Sequence, residues 1–436
     1  MPEKQARTAP NGLAEIGRGL FVTTVLSDAA FARLLWSRGR SILEDARTTS
    51  PLEALVGLVR KCLRLLRIIY MRKSAMRRGA GGEPGPTARH WGSPTHHEDR
   101  NAEVVMLSRD GTRRYFNLRD GRVTTHFPDG SDAEYVEAEL TRRRAVPARL
   151  APQVLSASVA DASYVEQYIN GPHARPFHSN TAERQHVLFP LLTELRTSAP
   201  QEVVDLHEYA AHLVSTVQVW HPAGAAPGHT TGDVPVHVWR AFASDVSRML
   251  ANEPPTAVAL VLSHGDLTAR NVLFGESGPT LIDWGTAGMR SQWHDLLSVH
   301  FIGAYVERYI RGTDRLAQLP DRIRDDCLAY VSHRSANRSP AIDVIAPGES
   351  EMRWIRLLHY LEVLALQVEG FGELRGPQRD GRRTSQIIGN WVMLFRDVEP
   401  HFATQAERLR VASRLDTAPH RRFGVTPNPA DNDRQQ

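Results

Sequence analysis

The run Ser263-His264-Gly265-Asp266-Leu267-Thr268-Ala269-Arg270-Asn271, followed by Asp283-Trp284-Gly285, puts two carboxylates and a side-chain amide on two neighbouring segments. Between them lie short β-rich stretches, Val272 to Phe274 and Thr280 to Ile282, which predict two adjacent loops joined by strands. Phosphoryl transfer needs such a set. Its charge sits on the oxygens of the transferring group, so catalysis is mostly positioning plus metal neutralisation, with a carboxylate to orient the attacking hydroxyl. Taken singly, His-Gly-Asp is an ordinary strand-end turn and Asp-Trp-Gly an ordinary loop. Order and spacing carry the argument.

Four residues separate Asp266 from Asn271, as in the H-R-D-x-x-x-x-N catalytic loop of protein kinases. A strand then leads to Asp-Trp-Gly where kinases have Asp-Phe-Gly. With His-Gly-Asp in place of His-Arg-Asp, and with Asp295-Leu296 following, the region resembles the aminoglycoside phosphotransferase and choline kinase branch of the protein-kinase-like fold. The resemblance implies that Asp266 is the catalytic base, that Asn271 and Asp283 are Mg²⁺ ligands, and that His264 and Asp295 organise the two loops. It further implies ATP or another nucleoside triphosphate as donor. The acceptor would be a small molecule bearing a hydroxyl: an aminoglycoside-like compound, a sugar or an amino alcohol. Arg270, one residue before the asparagine as in tyrosine-kinase loops, could neutralise developing charge.

Upstream elements must position this centre. From Glu103 three β-rich runs, Glu103 to Arg109, Arg113 to Arg119 and Arg122 to Phe127, are joined by Asp110-Gly111 and Asp120-Gly121, which predicts an antiparallel meander. A helix over Asp132 to about Arg144 and two more strands, Pro152 to Ala157 and Ser163 to Ile169, follow. The segment Tyr164 to Gly171 resembles the family's hinge, which implies that Glu166, Gln167 and Tyr168 hold the nucleotide. Glu137 or Glu139 stands where the first helix carries its ion-pairing glutamate.

The partner of that glutamate should be a lysine on the third strand, at Thr124 or Thr125. Lysine occurs only at Lys4, Lys61 and Lys73. A guanidinium does not simply replace an ammonium there. Either an arginine (Arg122, Arg113 or Arg114) or His126 takes over, or the chain is a degenerate kinase serving as a binding module.

After Gly171 helices dominate, at about Ala182 to Arg196, Val203 to Trp220, Val236 to Leu250, Trp293 to Arg311, Pro320 to Ser332, Glu351 to Glu369 and Ser385 to Leu415. The fold class is α+β: a two-lobed kinase-like domain with its amino lobe over 101–171 and its carboxy lobe over 172–416. Ahead of it lies a 1–100 extension with helical stretches around Ala14 to Ala46 and Pro51 to Arg78, then a Gly/Pro/His-rich linker. The polar tail 417–436 reads as disordered.

Composition bounds the alternatives. A 436-residue chain with 41% hydrophobic residues can bury a sizeable core. Two cysteines, Cys62 and Cys327, lie far apart and fit a reducing cytosol rather than a disulfide framework or a zinc site. No run resembles a secretory signal or an apolar span. The net charge of only +4, with acidic residues interspersed, argues against a nucleic-acid partner.

Within 55–78, basic residues from Arg60 to Arg78 face one side of a helical wheel and Leu63, Leu66 and Ile69 the other. That pattern suits a helix docked on the core, peripheral contact with an anionic membrane at its cytoplasmic face, or a helix that binds a partner protein. His96-His97 is an incidental linker pair. Acidic residues on the late helices, among them Asp326, Glu362 and Glu369, either face a cationic acceptor or are solvated.

Overall fold

The structure is a computed structural model that describes residues 13–17, 20–23, 102, 104–107, 112–127, 133–198, 201–219, 236–311, 314–336, 347–372 and 381–402. The basic stretch 55–78, the linker and the tail lie outside the described residues.

One antiparallel sheet forms the amino lobe, with strands β1 (Leu13–Gly17), β2 (Leu20–Thr23), β3 (Val104–Leu107), β4 (Arg113–Asn117), β5 (Arg122–His126), β6 (Val154–Ser158) and β7 (Ser163–Gln167). Their order is β1-β2-β3-β4-β5-β7-β6. The β4–β5 turn is closed by its own residues: Asn117 Oδ1 accepts the Asp120 N–H at 3.1 Å, and Gly121 takes φ +66, which a side chain disfavours. Helix α1 (Ala133–Ala145) buries Val136, Glu139, Leu140 and Arg143, a single stripe at helical spacing. Val136 and Leu140 pack with Phe127 and Tyr164 into a small core of this lobe.

The carboxy lobe begins with α2 (Phe189–Ser198) and continues through β8 (Glu202–Asp205), α3 (Leu206–Val219), α4 (Val236–Leu250) and β9 (Ala257–Ser263). The hairpin of β10 (Val272–Gly275) and β11 (Gly278–Leu281) comes next, then β12 (Gly288–Ser291). Helices α5 (His294–Arg311), α6 (Leu319–Ala336), α7 (Glu349–Gly372) and α8 (Gly381–Phe402) complete it. Strands β12, β9 and β8 make a three-stranded sheet in that order. The main core lies here, with Trp239, Trp284, Phe301, Tyr360 and Phe395 buried within it.

Strands predicted from Glu103 to Ile169 form with slightly shorter bounds, as do most helices. Two readings are corrected and one strand is added. Residues 13–17 and 20–23 are a strand hairpin, not part of a helix from Ala14. The helix expected from Val203 starts at Leu206, because Glu202–Asp205 pairs with β9 and the Asp205 carboxylate then caps the helix, accepting the His207 N–H at 2.8 Å. Strand β12, not foreseen at all, owes its form to register with β9, Gly288 opposite Ser263.

Candidate active site

Strand β9 ends at Ser263 and delivers His264-Gly265-Asp266 to the cleft. Asp295, in the first turn of α5, accepts the His264 N–H at 2.9 Å and the Gly265 N–H at 3.0 Å. Gly265 has φ +80, and a Cβ on it would lie 2.3 Å from the Thr286 carbonyl oxygen, so a larger residue does not fit. The His264 ring nitrogen Nε2 lies 2.9 Å from the Ile282 carbonyl oxygen. A carbonyl only accepts, so Nε2 carries the proton. With the ring packed on Trp284 and the Thr286 hydroxyl donating to the His264 carbonyl at 3.1 Å, the Asp266 loop is tied to the Asp283 loop.

Asn271 faces Asp266. Its Nδ2 donates to the Asp266 carbonyl at 2.7 Å and to Asp266 Oδ2 at 3.2 Å, which orients the carboxylate. The Asn271 carbonyl accepts the Ile282 N–H at 2.9 Å, so both loops are also joined through the backbone. Asp266 has a solvent-exposed surface, yet the surrounding cleft walls desolvate it and push its carboxyl above the usual range. His264 and the Asn271 hydrogen bond pull the other way, while Asp283 adds to the rise. Asp283, at φ +67, is held below the usual carboxylate range chiefly by the Arg114 guanidinium, against the opposing effect of burial. Arg114 Nη2 donates to Asp283 Oδ1 at 2.7 Å.

On the amino-lobe side, α1 turns Glu139 inward and leaves Glu137 exposed beside Arg144. Two residues are about 200° apart on a helix, so only one of the two can face the cleft. Of the two, Glu139 is the one beside the Asp-Trp-Gly loop, with Oε2 3.9 Å from where a Cβ on Gly285 would lie. It accepts from the Tyr164 hydroxyl at 3.3 Å and lies 3.6 Å from Arg143 Nε, one helical turn on. Arg143 also binds the Glu166 carboxylate and lies over the Tyr164 ring at 4.6 Å. Neither Arg143 nor Tyr164 was singled out from sequence. A glutamate and an arginine four residues apart, Glu139 and Arg143, were the available signal.

The remaining predicted residues are placed as follows. Glu166 has its carboxylate committed to Arg143, and the Tyr168 backbone N–H donates to the Gly121 carbonyl at 2.8 Å. Gln167 ends β7 opposite Arg122. Arg122 is exposed at the start of β5, and alternation turns it to the sheet face opposite Thr125. Arg270 is exposed on the turn between Asp266 and Asn271. Of the late acidic residues, Asp326 is bound by Arg184 and His300 inside the core, and Glu362 by Tyr209, Ser291 and His294.

A cavity of about 890 Å³ lies between α1, α3, α7 and β12, with Glu137, Arg142, Tyr209, Arg290 and Glu369 in its wall. It adjoins the catalytic loop, since Arg290 Nη1 would lie 3.0 Å from a Cβ on Gly265, but Asp266, Asn271 and Asp283 do not line it.

A strand lobe linked to a helical lobe, with an Asp–Asn loop tied to an Asp-Trp-Gly loop, defines a kinase-like phosphotransferase. The chain belongs to the phosphotransferase enzyme family APH, whose model matches residues 112–330, just over half of its 436 residues. No curated protein matches it. Among solved structures it is similar to a choline/ethanolamine kinase family protein from Mesorhizobium loti, at 16% identity and TM-score 0.40 over 79% of this chain and 99% of that one. Another is the choline kinase LicA from Streptococcus pneumoniae, at 12% identity and TM-score 0.40 over 66% and 89%. A third is an aminoglycoside phosphotransferase from Alicyclobacillus acidocaldarius, at 11% identity and TM-score 0.38 over 75% and 99%.

Proposed function

We propose that the chain is an O-phosphotransferase that moves the terminal phosphoryl group of Mg²⁺-bound ATP, or another nucleoside triphosphate, to the hydroxyl of a small molecule. The observation that carries this reading is the Asp266 carboxylate held by Asn271 at 3.2 Å on a loop tied to Asp283. Asp266 takes the proton of the acceptor hydroxyl. The hydroxyl oxygen then bonds to the terminal phosphorus as the bond to the bridging oxygen breaks, and a nucleoside diphosphate leaves. The raised pKa of Asp266 makes its carboxylate a better proton acceptor than an ordinary aspartate.

The residues present fit a magnesium ion. Mg²⁺ takes hard oxygen ligands, and Asp283 with the amide oxygen of Asn271 offers such donors on adjoining loops. Asp283 already faces a cation, the Arg114 guanidinium. Asp283 and Asn271 would hold the ion, which when bound neutralises phosphate charge. Arg270, exposed beside Asp266, is the cation available on the catalytic loop. His264 and Asp295 act through the backbone and position the loop.

The acceptor is proposed as an amino alcohol, a sugar or an aminoglycoside-like compound, with Glu137 and Glu369 in the adjoining cavity as groups that suit a cationic one. Among the described residues no helix is long and apolar enough to cross a membrane. A cytoplasmic location, with the basic stretch 55–78 as a contact for an anionic membrane face, belongs to the same proposal.

A second reading, a nucleotide-binding module without turnover, has one observation in its favour: Arg114 already occupies Asp283. Release of ADP over a panel of acceptors, alongside Mg²⁺-ATP thermal shift, separates the two. The transferase reading requires acceptor-dependent ADP that Asp266→Ala abolishes. Stabilisation by Mg²⁺-ATP with no turnover on any acceptor supports the binding module, and no stabilisation at all contradicts both.

A further inference from the structure

The lysine expected at Thr124 or Thr125 would have had two tasks: to hold the glutamate of α1 and to bind the nucleotide's phosphates. The first is already met within α1, where Arg143 lies 3.6 Å from Glu139. The second needs a cation on the cleft side of the sheet.

Strand register narrows the choice. In the β4–β5 ladder Arg114 stands directly opposite Thr125, while Arg113 stands opposite His126 and Arg122 opposite Asn117. Opposed residues of an antiparallel pair share a face, and neighbours along a strand alternate. Arg113, Arg122 and His126 therefore lie on the far face, where the His126 ring meets Tyr115 edge-on with centroids 5.4 Å apart. On the near face Arg114 joins Thr125 and Tyr164, also register partners, and reaches Asp283. An arginine on β4 thus enters the space that a side chain at Thr125 would fill.

Only Nη2 of Arg114 is held by Asp283, and the side chain stays 22% exposed. The Arg114 Nε is buried without a hydrogen-bond partner, and so is the Thr125 hydroxyl. A guanidinium fork with one arm on a carboxylate and part of its side chain exposed is suited to a second oxyanion.

We propose that Arg114 is the phosphate-anchoring cation, entering from the strand beside the usual one, so that the work of one lysine is divided between Arg114 and Arg143. It rests on the nucleotide reading above. In this arrangement the contact between Arg114 and Asp283 holds the metal loop in place before the nucleotide arrives, and the part of the guanidinium that this contact leaves open takes a phosphate oxygen.

Calorimetric titration of the full chain with Mg²⁺-ATP and, separately, with adenosine tests this. Arg114→Ala weakens ATP binding about 10- to 100-fold, as loss of charge-assisted hydrogen bonds does, and leaves adenosine binding unchanged. Arg114→Gln, which keeps the length and loses the charge, behaves alike and serves if the alanine variant does not fold. Arg114→Ala combined with Thr125→Lys regains most of the ATP affinity, because the two positions open onto one space. Unchanged or tighter ATP binding by Arg114→Ala would mean that Arg114 is only a lock on Asp283 and overturns the proposal. So does equal loss of ATP and adenosine, the mark of a structural role. Wild type that binds no Mg²⁺-ATP overturns the nucleotide reading as well, whereas wild-type binding with an indifferent Arg114→Ala overturns this inference alone.

Discussion

Asp295 accepts the backbone N–H of His264 at 2.9 Å with one carboxylate oxygen and uses the other for the next residue of the loop. Asp295 and His264 are both buried, so neither N–H has water as a substitute partner. Asp295→Ala should therefore orphan the His264 donor, leave the Gly265 N–H with the Ser263 hydroxyl at 3.1 Å as its acceptor, and cost about 1–3 kcal/mol of stability. Asp295→Asn keeps one acceptor and should lose about half as much. Urea unfolding of the three proteins checks the order.

Gly265 and Gly121 both have positive φ, but only Gly265 faces a wall. A Cβ there would meet the Thr286 carbonyl oxygen at 2.3 Å, while nothing lies within 4 Å of one on Gly121. Gly121→Ala should cost about 1 kcal/mol, the strain of the left-handed region alone. Gly265→Ala should cost about 3 kcal/mol or more, because the loop must also move. Thermal unfolding of both variants, with ADP release as a second readout for Gly265→Ala, decides it.

The raised pKa of Asp266 carries two linked consequences. As a base it must be ionised, so the acid limb of kcat/KM should lie above the value of about 3.9 for an ordinary aspartate. For stability the sign runs the other way. Below the unfolded pKa the group is protonated in both states and costs nothing; as pH rises through the folded pKa, the folded state must carry an unfavourable charge. Asp266→Asn should thus raise the Tm at neutral pH, and the gain should vanish in acid. A Tm gain independent of pH would contradict this account.

Arg143 faces two carboxylates, Glu139 and Glu166, with its side chain 2% exposed. Arg143→Ala leaves buried charge without a partner and should cost about 3–5 kcal/mol, part of which Glu139→Gln in the same chain should restore. Glu137→Ala, on the exposed side of α1, should stay within about 0.5 kcal/mol of wild type. Chemical denaturation of this set tests which glutamate faces the cleft.

How much of this was legible beforehand follows from the range of each cause. Asp266, Asn271 and Asp283 were readable because a fixed spacing along the chain puts them on joined loops. The meander was readable from Asp120-Gly121, a turn signal contained in two residues. Arg114 could be named only as one of several candidates, since its selection depends on standing opposite Thr125 across the sheet. Arg143, within the run Arg142-Arg143-Arg144, reads as one of three surface charges until the buried stripe of α1 singles it out. Strand β8 is four residues long and runs straight into a helix, so its local pattern is submerged in the helical one. Strand β12, Gly288-Met289-Arg290-Ser291, has little strand propensity of its own and is held by pairing with β9.

The central claim is that Asp266 and the loops around it pass a terminal phosphoryl group to a small-molecule hydroxyl. Incubation of the full chain with Mg²⁺ and ATP labelled in its γ-phosphate, together with a panel of amino alcohols, sugars and aminoglycosides, tests it most directly. The account predicts label covalently attached to at least one acceptor by wild type, and a loss of about 1,000-fold or more with Asp266→Ala. Label on no acceptor, or equal labelling by Asp266→Ala, would contradict it.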